Sequence, residues 1–277
     1  MLTKSQFNDH VHGDRDLLAV AHVRWTTLQQ IYEDYVRLRP KLGLVALLVS
    51  EPLGQLEMVQ SLKMRVKDPL HLVAKVVRRE REEYGLRISV ENYRTHITDL
   101  VGVRAMHVTK GEWKPIHDFL VSTFRVSGPP VAYVRLGDTN GCTQAYRARG
   151  CEVREHSAGY RSVHYVVQME LDGVVHPVEI QVRTLLEEAW SEIDHALRYP
   201  YRNGDGRLER CMTALSMLVG LGDTLASEAR SHGDDGARAD LEAQSLQVER
   251  AQRDIIARSM VFIEGNGWPS YRWGEAP

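Results

Sequence analysis

Residues 162–183 restrict the fold more than any other stretch of the chain. From Ser162 to Met169 the sequence alternates, with Val163, Tyr165, Val167 and Met169 on one side and His164, Val166 and Gln168 on the other. Leu171, Asp172 and Gly173 make a turn. Val174 to Arg183 then alternates again, setting Val178, Ile180 and Val182 against Glu179, Gln181 and Arg183. Successive side chains of a strand point to opposite faces, so this segment predicts an antiparallel hairpin with one apolar and one polar face. An imidazole, a carboxylate, an amide and a guanidinium then share one surface. A solvated sheet face shows the same alternation, so the chemistry has to be argued from what else joins it.

Leu100 to Val108, with Val101, Val103 and Ala105, reads as a mostly buried strand, and Val131 to Leu136 as another. Between them Trp113 to Phe124 predicts a helix. Upstream, two amphipathic helices are expected, one from Leu17 to about Arg39 and one after Gly43 that leads to Pro52. A helical pattern from Leu56 to Glu83 should break at Lys67 to Pro69, where proline suits the first turn of a fresh helix. Gly137 to at least Gly159 predicts a loop. Thr184 with Glu187 forms a capping box that opens a helix through Tyr199, striped by Leu185, Ala189, Ile193 and Leu197. Leu208 to Arg230 and Ala237 to Met260 predict two further helices split at residues 231–236, and the tail from Gly265, with Trp268, Tyr271 and Trp273, a surface strap. The class is α/β (α+β). Three divisions are expected: an N-terminal helical region, 1–60; a core, 61–200; and C-terminal helices with the tail, 201–277.

Charge narrows the function. The 277 residues carry 35 Lys and Arg against 37 Asp and Glu, a net charge of −2, so no overall basic field holds nucleic acid non-specifically. Residues 61–110 nevertheless hold 11 Lys or Arg against 6 acids. The longest apolar run, Leu42 to Val49, is too short to cross a bilayer and the first residues lack a signal-peptide core, so a cytoplasmic address without membrane contact is expected. Three cysteines, Cys142, Cys151 and Cys211, suggest reduced thiols, the first two at the surface. No Walker segment, His-Glu-x-x-His or nucleophile elbow occurs. Asp99, immediately before a buried strand, together with a carboxylate from a neighbouring strand, suits Mg²⁺ held against substrate phosphates. Arg and Lys near such a site point to phosphate chemistry.

Four ordered blocks carry a more specific signal. They are Arg65-Val66-Lys67-Asp68-Pro69 with Lys75; Ile97-Thr98-Asp99-Leu100-Val101-Gly102-Val103-Arg104; Gly159-Tyr160-Arg161-Ser162-Val163-His164-Tyr165; and Val178-Glu179-Ile180-Gln181-Val182-Arg183-Thr184 followed by Trp190, Glu192, Asp194-His195 and Tyr199. Over about half its length the chain resembles the synthetase domain of the RelA/SpoT family, and in particular its single-domain small alarmone synthetases.

The resemblance implies a nucleotidyltransferase-like mixed sheet flanked by helices, with helical extensions at both ends. It also implies transfer of pyrophosphate from ATP to the 3′-hydroxyl of GDP or GTP, with Mg²⁺, or Mn²⁺ in its place. By position Asp99 matches the metal-binding aspartate, and Glu179 a glutamate that binds metal or activates the acceptor hydroxyl. Arg65 and Arg104 match arginines that sandwich the donor adenine, with Lys67 and Lys75 facing the triphosphate. Tyr160 matches a tyrosine stacked on the acceptor base and His164 a histidine beside phosphates, with Gln181 and Arg183 completing that surface. The segment before the Gly-Tyr block departs from the family pattern, and Arg154 is the candidate for the positive charge missing there. The departure keeps two alternatives open: a toxin-like enzyme acting on the tRNA 3′ end or on adenine nucleotides, and an inactive nucleotide sensor. Self-association through the C-terminal helices is a further expectation.

Overall fold

The computed structural model describes residues 2–10, 23–136, 138, 140–198 and 206–235. The alternating segment forms β6 (Ser162–Leu171) and β7 (Val174–Thr184), paired antiparallel with Val163 opposite Val182 and His164 opposite Gln181. Asp172 turns the chain at φ 53° and Gly173 follows at φ 73°. On the other side of β7 lies β2 (Val101–His107), in parallel register with Gly102 opposite Glu179. The strand expected at Val131 is β4 (Val131–Arg135), and the two-residue β3 (Arg125–Val126) also pairs with β6.

Two further strands correct the sequence expectation. Residues 61–66, expected to be helical, form β1 (Ser61–Val66), antiparallel to β2. Leu62 and Val66 are partly buried against the core on one face while Lys63 and Arg65 occupy the other, a period of two that a short window cannot distinguish from a helix. Instead of one long loop, residues 137–159 include a helix (Asn140–Ala148) and β5 (Glu152–His156), which runs parallel to β4. Cys151, expected at the surface, is buried at the start of this strand. The mixed sheet has the order β1-β2-β7-β6-β4-β5.

In chain order the helices are α1 (Lys4–His10), α2 (Trp25–Gly54), α3 (Pro69–Glu82), α4 (Tyr93–His96), α5 (Trp113–Thr123), α6 (Asn140–Ala148), α7 (Leu185–Arg198) and α8 (Gly206–Asp235). α2 replaces the two helices expected around Pro40. Leu28, Ile31, Tyr35, Leu42, Val45, Val49 and Leu53 stay in phase across the proline and are buried. Burying that stripe at roughly 1.5–3 kcal/mol per large side chain outweighs the cost of about 3 kcal/mol for an internal proline. α2 packs on β1 and β2 and α5 on β3 and β7, covering the apolar sheet face that carries Val103, Ile180, Val182 and Tyr165. In this core the Tyr165 hydroxyl accepts from Trp113 Nε1 at 2.9 Å. No helix among the described residues is long and apolar enough to cross a membrane.

The capping box forms as expected: Thr184 N donates to Glu187 Oε2 at 2.9 Å and Glu187 N to Thr184 Oγ1 at 3.1 Å. The expected stripe of α7 is instead substantially exposed at Leu185, Ile193 and Leu197, while Glu187, Glu188 and Trp190 are buried. Trp190 Nε1 donates to Met212 O of α8. α8 continues through residues 231–235, where a break was expected. The second expected helix, from Ala237, and the aromatic tail lie outside the described residues.

Contact between α8 and the Gly-Tyr block is close. Arg161 pairs with Asp138 at 2.6 Å and donates to Ser216 O at 3.0 Å, while Ser216 Oγ donates to Gly159 O at 2.8 Å. Gly159 has φ +82°, and a Cβ there would stand 2.6 Å from Ser216 Oγ. Gly159→Ala is therefore expected to cost about 1–3 kcal/mol in backbone strain and to lower the urea midpoint. An unchanged midpoint would contradict this packing.

Farther along α8, Asp223 is fully buried and neither of its oxygens has a hydrogen-bond partner. Burial first, and the nearby Glu187 second, push its carboxyl up to about 7. The folded state thus holds this proton more tightly than the unfolded chain, so stability falls as pH rises from about 4 to about 7 and levels above. Asp223→Asn should be more stable than the parent at pH 8, by on the order of 2 kcal/mol, and lose that advantage near pH 4. Urea titrations at the two pH values check this, and equal differences at both would refute it.

Candidate functional site

Strand register gathers the polar residues into two rows across the sheet. One row runs Arg65, Gly102, Glu179, and the next Lys63, Arg104, Gln181, His164. Gly102 lines the smaller groove, and a Cβ there would make only an ordinary contact with the Arg65 side chain, at 3.5 Å. Two adjoining grooves of about 430 Å³ and about 630 Å³ follow these rows and share Arg65, Arg104, Gln181 and His195. Glu179 lines the smaller and Asp99 the larger.

Asp99 sits just before β2, where Lys67 Nζ at 2.7 Å and Lys75 Nζ at 2.8 Å both meet its Oδ2. Lys67 ends the link from β1, and Lys75 projects from α3, whose start Asp68 caps by accepting from Leu70 N and His71 N. Burial alone would raise the Asp99 pKa, but the two ammonium groups outweigh it and hold the carboxyl below its ordinary value. Asp99 therefore adds stability above the usual carboxylate range, and that contribution is lost as pH falls through its lowered folded pKa. Its Oδ1 is buried without a partner. A desolvated, ionised carboxylate oxygen left free beside two cations fits a hard divalent cation such as Mg²⁺.

Glu179 is the second carboxylate. Burial raises its pKa, but His164 and Gln181 outweigh that and the net direction is down. Gln181 Nε2 donates to its Oε2 at 2.8 Å, and His164 Nδ1 stands 3.4 Å from its Oε1. A polar chain continues outward: His164 Nε2 lies 2.8 Å from the Tyr160 hydroxyl, which accepts from Arg183 Nη2 at 3.0 Å. The Arg183 guanidinium also lies over the Tyr160 ring, 5.2 Å from its centroid. Tyr133 and His156 pack edge-on or tilted against Tyr160. Arg154, on the edge strand β5 opposite Tyr133, is half exposed and pairs with Glu152 at 2.7 Å.

One residue that the sequence reading did not single out organises the basic side of the site. Glu188 of α7 is buried and meets Lys63 at 3.0 Å, Arg104 at 3.0 Å and Arg183 at 3.3 Å, which come from β1, β2 and β7. Arg104 also pairs with Glu192. The signal that could have found Glu188 is its place one turn into a capped helix that begins directly after Arg183 and Thr184. It thus points back along the polar face.

A family model described as the region found in RelA / SpoT proteins matches residues 64–204. No curated protein matches the chain. Among solved structures, the small alarmone synthetase 1 from Bacillus subtilis is 22% identical with a TM-score of 0.50, covering 75% of this chain and 96% of that one. The same synthetase bound to its product pppGpp is 23% identical with a TM-score of 0.50, over 75% and 95% of the two chains. At this identity the likeness concerns the fold.

Proposed function

The chain belongs to the RelA/SpoT family, and we propose that it transfers the β,γ-pyrophosphate of ATP to the 3′-hydroxyl of GDP or GTP, producing AMP and a (p)ppGpp-type nucleotide. The observation that carries this reading is the pair of ionised carboxylates, Asp99 and Glu179, in adjoining parts of a basic groove. The product pppGpp in the Bacillus subtilis structure supports a guanine acceptor.

In this reading Arg65 and Arg104 bind the donor base, a flat cation being suited to an aromatic ring. Lys67 and Lys75 face the triphosphate, where their charge offsets that of the phosphoryl oxygens. Tyr160 and His164 place the acceptor, Gln181 and Arg183 hold that surface, and Arg154 lies beyond it at the sheet edge. Glu179 takes the proton from the 3′-hydroxyl as that oxygen attacks the β-phosphorus, and the bond to the α-phosphate oxygen breaks to leave AMP. A carboxylate of low pKa is a weak base, so its worth here lies in position. Asp99 and Glu179 would hold Mg²⁺, which supplies neutralisation of phosphate charge when bound.

Purified chain with labelled ATP, Mg²⁺ or Mn²⁺, and a panel of GMP, GDP, GTP, adenine nucleotides and tRNA tests the proposal. Label on GDP or GTP with equimolar AMP is expected. Label only on tRNA or an adenine nucleotide would replace the acceptor. Tight nucleotide binding without AMP would make the chain a sensor.

A further inference from the structure

A second cluster of metal-ligating side chains stands at the rim of the larger groove. His10, the last residue of α1, meets His71 in the first turn of α3, with ring centroids 4.3 Å apart and planes at 78°. His71 Nδ1 lies 3.7 Å from Asp68 Oδ1. One ligand atom from each of His10, Asp68 and His71 falls within 4.8 Å of the other two, and among the described residues no other three His, Cys, Asp or Glu converge in this way. Asp68 is already oriented, because its Oδ1 accepts from Leu70 N at 2.8 Å and His71 N at 3.3 Å.

We propose that His10, Asp68 and His71 bind one transition-metal dication of the zinc class, apart from Asp99 and Glu179, and that this ion ties α1 to the start of α3. Two imidazoles and one carboxylate match the ligand preferences of Zn²⁺, Co²⁺ and Ni²⁺, whereas Mg²⁺ favours an all-oxygen octahedron. Charge selects in the same direction. Lys67 and Arg65 act electrostatically on His71, and the positive end of α3 points at the cluster. This repulsion acts on any dication, and the metal–nitrogen bonds that a transition metal forms and Mg²⁺ does not are what can outweigh it at two imidazoles. Ligand atoms in a tetrahedral zinc site stand about 3.4 Å apart, near the 3.7 Å already present between His71 and Asp68. These two side chains are 45% and 50% exposed, which leaves them room to draw in toward an ion and His10. Three protein ligands leave a fourth position for water or another oxygen donor. Asp68 and His71 also line the larger groove, so that position borders it.

The test titrates Co²⁺ into nucleotide-free protein in excess Mg²⁺ and follows visible absorption. One equivalent should give the d–d bands of a low-coordinate site, and Zn²⁺ should displace it. His10→Ala removes one ligand, and Asp68→Asn removes the carboxylate while retaining a capping oxygen. Each should weaken Co²⁺ binding about tenfold or more with an unchanged circular-dichroism spectrum. Zn²⁺ should raise the melting temperature of the parent and not that of His10→Ala. Absent bands in the parent, or equal affinity in parent and both variants, would overturn the site. Because no nucleotide is present, that failure would leave the proposed transfer reaction untouched, and failure of the transfer assay would leave this site untouched.

Discussion

Replacing Glu179 by Gln is expected to slow the proposed pyrophosphate transfer by about 10²–10⁴-fold, the range for loss of a positioned general base. Glutamine preserves the shape of the side chain and can still face Gln181 and His164, which stand 2.8 Å and 3.4 Å from the two carboxylate oxygens. What it loses is the negative charge and the ability to take a proton. The loss should therefore appear in kcat, with the urea midpoint close to that of the parent. Initial rates of AMP release, measured at saturating ATP and acceptor, check this. Parent-like turnover in folded Glu179→Gln would remove Glu179 from the chemistry.

Glu188→Ala should have the largest effect on stability. Its carboxylate is buried with the nearly inaccessible Arg183, and Arg104 and Lys63 complete the group. Removing Glu188 leaves the buried Arg183 guanidinium without its acidic partner and Arg104 and Lys63 with only the half-exposed Glu192, a change worth about 3–5 kcal/mol in comparable sites. Lys63 is 54% exposed and contributes little of this. Glu188→Gln tests the origin of the effect: it retains the packing and some hydrogen bonding but not the charge, and should also destabilise, by less than the alanine variant. Urea unfolding of both variants is the measurement. If both unfold at the parent midpoint, Glu188 does not hold the basic wall together. Because Arg104 keeps only the half-exposed Glu192 as a partner, a higher KM for ATP should accompany the loss of stability.

The parts of the fold legible in the sequence are those whose pattern is local. β6 and β7 alternate over ten and eleven residues around a tight turn, and the polar face with His164, Glu179 and Gln181 was readable from that alone. Thr184 and Glu187 announced α7 for the same reason. β1 was not legible because six residues between two helices carry too few alternations, and its strand character comes from pairing with β2, about forty positions away. β5 likewise owes its form to pairing with β4, and α2 overrides Pro40 because its buried stripe continues on both sides. Glu188 was missed because two of its three partners, Lys63 and Arg104, are 125 and 84 positions distant, and only Arg183 is near it in sequence. Arg154 shows a local pairing of the same kind: its neighbour Glu152 stands two positions away on its own strand.

The junction between β7 and α7 has a mechanical meaning. Thr184 is the last residue of the strand and Leu185 the first of the helix, and the capping hydrogen bonds lock the corner. On the opposite wall only Lys67 and Asp68 separate β1 from α3. Each connection is short and carries a side-chain cap, Glu187 with Thr184 on one and Asp68 on the other. The grooves are thereby walled by strands whose exits into helices are fixed locally, by side chains next to each corner in sequence. A substitution at Thr184 would therefore loosen a wall of the site from a position that lines neither groove.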